Sequence, residues 1–208
     1  MNPFEQGLTR YLSPDQMESI RRIRVGIAGA GGLGSNVAWM LVRSGFSDFI
    51  VVDHDRVDLS NLNRQFFFAR QVGLTKVQAL RENLEAINPD VKIRAVEGVI
   101  TPENVSALFA ECHVVVEAFD RVQDKKMLVE ACLASGKFLV AASGLAGSGD
   151  ADRIKIHKLK ENFYMVGDLV SEATEDCPPL APCVTVAAAK QADLILDWAL
   201  GGALGRKP

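Results

Sequence analysis

The side chains that could do chemistry gather in one part of the sequence. Gly29-Ala30-Gly31-Gly32-Leu33-Gly34 follows directly on the short apolar run Arg24-Val25-Gly26-Ile27-Ala28, and helix-compatible residues continue from Ser35 to Val42. In a strand–glycine turn–helix, the first glycine permits a tight turn and the second lets backbone N–H groups approach a phosphate. The third brings helix and strand close together, and the positive end of the helix favours the anion. Asp53 ends the next β-type run, Phe49-Ile50-Val51-Val52, about twenty residues on, where a carboxylate can take a ribose hydroxyl. Taken alone, this pattern says nucleotide, most often a dinucleotide. Lys76 falls in the first turn of a helix, where the dipole disfavours a cation by some tenths of a kcal/mol. A lysine placed against that preference points to an anionic ligand nearby, and the alternative is a solvated surface lysine. Asp120 lies just past a valine-rich run, at the strand edge where open α/β sheets bind ligands. The plain structural roles are a turn cap for Asp53 and a surface ion pair for Arg64.

The elements that must position these groups alternate along the chain. Short β-branched runs predict strands at Arg24–Ala28, Phe49–Val52, Val91–Val96, His113–Glu117 and Phe138–Ala142, buried on both faces of a parallel sheet. Thr75–Ile87 puts Val77, Leu80, Leu84 and Ile87 on one helical face, stopped by Asn88-Pro89. Ser13-Pro14-Asp15-Gln16 reads as a capping box opening a short helix to Arg22 that covers a sheet edge. Thr101-Pro102-Glu103 reads as another helix start, and Asp124–Ser135 as a helix ended by Gly136. Arg153–Leu159 and Phe163–Val166 read as antiparallel strands with one wet face. Asp168–Pro182 is a long aperiodic loop, Val184–Leu200 a closing helix, and Gly201–Pro208 a frayed tail. Phe66-Phe67-Phe68 anchors the loop after Arg64. The fold class is α/β, Rossmann-like: a mainly parallel sheet with antiparallel C-terminal strands and helices on both faces, in one domain over 1–208.

The continuation Asp53-His54-Asp55-Arg56-Val57-Asp58-Leu59-Ser60-Asn61-Leu62-Asn63-Arg64-Gln65, behind a Gly-Gly-Leu-Gly turn, resembles the ThiF/MoeB/HesA family, relatives of the ubiquitin-activating enzymes. Lys76 and Asp120 fall at compatible spacings, and the resemblance covers residues 9–197. It implies ATP-dependent adenylation of the C-terminal glycine of a small ubiquitin-like carrier protein, with release of pyrophosphate. The compact form implies a ThiS-like sulfur carrier with a Gly-Gly terminus, as in thiamine biosynthesis. By the same resemblance the nucleotide is held by Gly29, Gly31, Gly32, Leu33, Gly34, Asp53, Asp55, Asn61, Arg64, Gln65 and Lys76. Arg64 and Lys76 meet the phosphates, Asp53 meets the ribose, and Asp120 binds Mg²⁺. Arg10 would reach the ATP of a partner subunit in a twofold dimer, although the commonest family form has a second arginine where this chain has Ser13. Segment 168–182 is the family's crossover loop, in which Cys177 or, less simply, Cys183 could bond the activated carrier. No Cys-x-x-Cys pair exists, so the zinc site of many relatives is not expected.

Composition sets the bounds. A 208-residue chain that is 48% hydrophobic and 24% charged suits one ordinary globular domain. A net charge of −3 argues against nucleic acid as the main partner. The start, Met1 to Gln6, has no basic region followed by an apolar run, so it does not read as a signal peptide. The stretch Val184–Leu200 is broken by Lys190, Asp193 and Asp197 and is no membrane span. Four cysteines without a dense framework fit the cytoplasm; Cys112 and Cys132 read as apolar filler. Two other readings compete: an NAD(P)- or flavin-dependent oxidoreductase, and a non-catalytic subunit of a heterodimeric activating enzyme. Activation of a small molecule or a tRNA base would also leave the same ATP motifs.

Overall fold

The computed structural model describes residues 1–202. The frayed tail expected from Gly201 therefore lies, from residue 203 onward, outside the described residues. Two helices come first, α1 (Pro3–Leu8) and α2 (Pro14–Arg21). The capping box of α2 is formed, with Gln16 N–H donating to Ser13 Oγ and Ser13 N–H to Gln16 Oε1. The sequence expectations do not include α1. It has no apolar stripe and buries no residue, and its one signal is the cap, Asn2 before Pro3.

The rest alternates: β1 (Arg24–Ala28), α3 (Gly32–Arg43), β2 (Asp48–Asp53), α4 (Lys76–Ile87), β3 (Lys92–Glu97), α5 (Val105–Leu108), β4 (Val114–Glu117), α6 (Val122–Ala134), β5 (Phe138–Ala142), β6 (Lys155–Lys160), β7 (Phe163–Gly167) and α7 (Ala181–Ala199). The sheet runs β3-β2-β1-β4-β5-β7-β6. All neighbours are parallel except the edge pair β6–β7. The antiparallel ending expected from the sequence is thus confined to β6, while β7 returns parallel beside β5.

Alternate residues of each strand feed two cores. Val25, Ile27, Val51, Val116 and Val140 meet α3, α4 and α7 on one face, while Ile50, Val52, Val115 and Leu139 meet α5 and α6 on the other. Gly26 sits in mid-strand for want of room: a Cβ there would lie 2.6 Å from Phe109 Cδ1. Ile20 of α2 joins the first core and α2 packs beside α7, rather than capping an edge strand as expected.

Two boundaries differ from expectation for local reasons. The helix expected to open at Thr101-Pro102-Glu103 begins instead at Val105, because Asn104 closes a turn first. Its side chain accepts from Thr101 N–H and donates to Val99 O. The last helix begins at Ala181, since Pro182 fits its first turn, and the long loop ends at Leu180. The chain leaves β1 toward β2 and β3 and later fills β4 and β5 on the other side. That reversal between β1 and β4 opens a crevice at the strands' carboxyl ends.

Candidate functional site

The crevice begins with the glycine turn. Gly29 holds φ +98° and would press a Cβ to 2.7 Å from Ala118 O. Gly34 packs so close that a Cβ would stand 1.8 Å from Gly29 O. Gly31 caps α3 with no side-chain bond, so the first amides of this 12-residue helix have no side-chain acceptor. Gly32 lies under the aliphatic part of Arg64 and beside Val184. Leu33 turns its side chain into the core and not toward the crevice.

Asp53 ends β2 nearly buried, with both carboxylate oxygens engaged. Oδ2 accepts from Ala30 N–H at 2.6 Å and Oδ1 from Asp55 N–H at 2.7 Å. It therefore does the turn-capping work that was the alternative to a ribose role, and it still lines the cavity with free lone pairs. Segment 55–57 then runs against 73–76, through Val57 N–H to Leu74 O and Lys76 N–H to Asp55 O. This brings the first residue of α4 over the end of β2. Lys76 is buried rather than solvated, and its Nζ donates to Asp55 Oδ2 at 2.7 Å. The Lys76 hydrogen bond holds the Asp55 carboxyl below the usual range against the opposing effect of burial, with Lys76, His54 and Arg121 charges adding to it. A lysine at the positive end of a helix is thus compensated by a protein carboxylate.

These groups share one cavity of about 340 Å³. Its wall includes Gly29, Gly31, Asp53, Asp55, Lys76 and Asp120, and also His54, Val99, Ile100, Phe119, Arg121 and Asp124. Asp120 is exposed at the rim, three residues past β4. Beside it an ion pair between the buried Glu117 and the half-buried Lys125 ties the strand ends together. Lys125 Nζ donates to both oxygens of Glu117 at 3.0 Å and to Ala142 O at 3.1 Å. Glu117 Oε1 also accepts Phe119 N–H at 2.7 Å, which fixes the backbone one residue before Asp120. Burial pushes the Glu117 carboxyl up, with Lys125 opposing it.

The remaining expected residues lie elsewhere. Arg64 donates to Ser60 O and Asn63 Oδ1, so its guanidinium is held outside the cavity wall. Asn61 closes the cap of the 3₁₀ turn Leu59–Asn61 by accepting Asp58 N–H, and does not line the cavity. Gln65 is nearly buried with its Nε2 toward Gly31, does not line the cavity, and among the described residues its Oε1 has no hydrogen-bond partner. Of the three phenylalanines, Phe67 is in the core and Phe66 packs on Trp39, but Phe68 is exposed. Arg10 is exposed between α1 and α2 and contributes nothing to this cavity. Cys177 lies in a second cavity with Arg153, Asp168 and Ser171, against Gly147. Cys183 is buried in α7. Cys112 and Cys132 are core residues whose thiols burial pushes up to about 12 and about 11.

His54, Arg121, Asp124 and the Glu117–Lys125 pair are not among the residues expected from the sequence. The one available signal was position, since Arg121 and Asp124 follow Asp120 within one helical turn. Among the described residues, the one group of three metal-ligating side chains is Asp53, His54 and Asp55, with ligand atoms within 4.8 Å of one another. Asp120 is not part of it. No helix of the described residues is long and apolar enough to cross a membrane.

Comparison with known proteins identifies a family and relatives for this chain. A model described as "ThiF family" matches residues 5–206. The chain is 29% identical over 159 residues to a tRNA threonylcarbamoyladenosine dehydratase of Haemophilus influenzae, covering 76% of this chain and 61% of that protein. It is 37% identical over 131 residues to the adenylyltransferase and sulfurtransferase MOCS3 of Anopheles gambiae, covering 62% and 30%. The chain thus matches less than two thirds of the length of either relative. The crystal structure of E. coli tRNA N6-threonylcarbamoyladenosine dehydratase in complex with AMP superposes with a TM-score of 0.85 at 22% identity. That match covers 95% of this chain and 94% of the other, and bears on the fold.

Proposed function

Because the chain belongs to the ThiF family, we propose that it binds ATP in the 340 Å³ cavity and adenylates a carboxylate, releasing pyrophosphate. The observation that carries this reading is the cavity itself, where the glycine turn, Asp53, the Lys76–Asp55 pair and Asp120 meet at the switch point of the sheet. The residues fit a nucleotide. The uncapped amides of α3, which open behind Gly31 in the cavity wall, suit a phosphate. They also fit a hard cation, because Asp120 and Asp124 offer carboxylate oxygens at the rim.

The reaction asks for positioning and charge stabilisation rather than a protein acid or base. The acceptor carboxylate attacks the α-phosphorus, the bond to the β,γ-diphosphate breaks, and pyrophosphate carries away the electrons. Lys76, held by Asp55, neutralises phosphate charge. Asp53 takes the ribose through its free lone pairs, and Arg64 swings from Ser60 and Asn63 onto the phosphates. Mg²⁺ bound at Asp120 would supply further charge neutralisation.

The finer reading is a ThiS-like sulfur carrier with a Gly-Gly terminus, serving thiamine biosynthesis in the cytoplasm. In it the chain is a single adenylating domain acting as a homodimer. The exposure of Arg10, away from its own cavity, supports its use in the partner's site. Cys177, in the crossover loop, is then the candidate covalent acceptor. The mosquito relative's name, joining adenylyltransferase to sulfurtransferase, favours such a carrier. A second acceptor, a tRNA nucleoside, is favoured by the Haemophilus relative's name.

The test is ATP–pyrophosphate exchange with Gly-Gly-ended carriers and, separately, with tRNA bearing threonylcarbamoyladenosine, alongside thermal unfolding with ATP–Mg²⁺ or NAD. ATP should raise the melting temperature by mass action and NAD should do markedly less. Exchange should respond to one acceptor. Stronger stabilisation by NAD would turn the assignment to an oxidoreductase.

A further inference from the structure

The nucleotide cavity is poor in available positive charge. Four carboxylates line it (Asp53, Asp55, Asp120 and Asp124) against two cations, Lys76 and Arg121. Lys76 shares its charge with Asp55 at 2.7 Å, and Arg64 reaches a phosphate only after leaving Ser60 O and Asn63 Oδ1. A polyphosphate entering this wall gains most from a further cation that already faces the cavity without a carboxylate partner.

Arg121 is that cation. Its side chain is exposed at the cavity, and among the described residues it makes no hydrogen bond or ion pair. It occupies the N-cap of the 13-residue helix α6 without capping it, so the first amides of α6 have no side-chain acceptor beside it. Its charge reaches the facing wall, where it helps hold the Asp55 carboxyl low. Its backbone is set by the Glu117–Phe119 bond and by α6, so the guanidinium projects from a fixed point.

We infer that Arg121 is a phosphate-binding residue, whose guanidinium takes the polyphosphate of ATP and makes the site favour a nucleoside triphosphate over the bare nucleoside. A guanidinium suits this because its planar fork pairs bidentately with phosphate oxygens, which an ammonium cannot do. The inference rests on the reading of the cavity as an ATP site, and goes beyond it in assigning a residue outside the Gly–Asp–Arg–Lys set.

The experiment is calorimetric titration of the full chain with ATP–Mg²⁺ and with adenosine, for the wild type, Arg121→Ala and Arg121→Lys. Loss of a charge-assisted phosphate contact should weaken ATP binding about 10- to 100-fold in Arg121→Ala. Adenosine binding should stay within about twofold, and Arg121→Lys should fall between. Melting temperatures without ligand should agree, because the side chain is exposed and unpaired. Unchanged ATP binding in Arg121→Ala overturns the inference while the ATP reading stands, as does an equal loss for ATP and adenosine. A wild type that binds no ATP removes the ATP reading and the inference together.

Discussion

Lys125→Met tests the arrangement beneath the cavity most directly. Glu117 is 1% exposed, and its carboxylate takes two bonds from Lys125 Nζ and one from Phe119 N–H. Methionine keeps the stem's packing but removes the ammonium, leaving a buried carboxylate without its counter-charge. Removing one partner of a buried pair costs about 3–5 kcal/mol, because the other charge is stranded. Burial already raises the Glu117 carboxyl in the wild type, with Lys125 opposing it, so deleting Lys125 raises it further. The native state then holds a proton that the unfolded chain has released. Stability from that proton is present below the ordinary carboxylate range and is lost as pH rises through the raised native value. The loss in Lys125→Met should therefore be full at pH 8 and smaller at pH 5. Urea unfolding at both pH values measures it, with an unchanged m-value showing that the native state is intact. A loss below about 1 kcal/mol at pH 8, or one independent of pH, would refute the account. The double variant Glu117→Met/Lys125→Met should regain much of the stability. It should still exchange pyrophosphate slowly, since the tie to Phe119 N–H beside Asp120 is gone.

Two further outcomes follow from the same geometry. Gly34→Ala would put a Cβ 1.8 Å from Gly29 O and 3.0 Å from Ile27 Cγ2. Since the nearest obstacle is backbone, stability should drop by about 3 kcal/mol or more, and a drop under about 1 kcal/mol in chemical unfolding would show that turn and helix can separate. Asp120→Ala removes an exposed carboxylate that has no hydrogen-bond or ion-pair partner among the described residues, so stability should change by less than about 1 kcal/mol. Exchange at saturating Mg²⁺ should fall about 10²- to 10³-fold, and near-wild-type exchange would remove the metal assignment.

What the sequence conveyed depended on how local the physics is. The β1–α3–β2 unit, the cap at Ser13, and the breaks at Asn88 and Gly136 depend on residues within one turn of each other. The glycine turn carries its own reason, because no other residue fits at Gly29 or Gly34. The Glu117–Lys125 pair has no such local reason. It forms because parallel strands β4 and β5 end side by side and α6 starts above them, which a one-dimensional reading of alternating charges does not show. Lys76 shows both sides: its conflict with the helix dipole was legible, but its answer, Asp55, came from pairing 55–57 with 73–76. Arg121 reads in sequence as a charge next to an aspartate, the commonest form of a solvated face. The fold gives it a cavity instead.

A division of labour among the polar groups follows from where their hydrogen bonds go. Asp53 spends a bond from each oxygen on the backbone of the turn and of Asp55, Ser35 Oγ accepts Phe66 N–H, and Asn36 donates to Gly32 O and Arg64 O. These bonds clamp the glycine turn, the helix start and the polar segment into one piece, so little reordering remains when a ligand arrives. The groups left over at the crevice are the amides that open α3 behind Gly31 and the guanidinium of Arg121, whereas Gln65 Oε1, although unpartnered among the described residues, does not line it. An unmet bond alone does not mark a site. Gln65 Oε1 and Gln191 Oε1 are both buried and unpartnered among the described residues, yet neither side chain lines a cavity, and Gln191 turns its amide to Val140 O of β5. Recognition lies where an unmet bond coincides with space and with a rigid frame around it. In this chain the three coincide between β1 and β4, where a phosphate would meet donors that the protein has not used for itself.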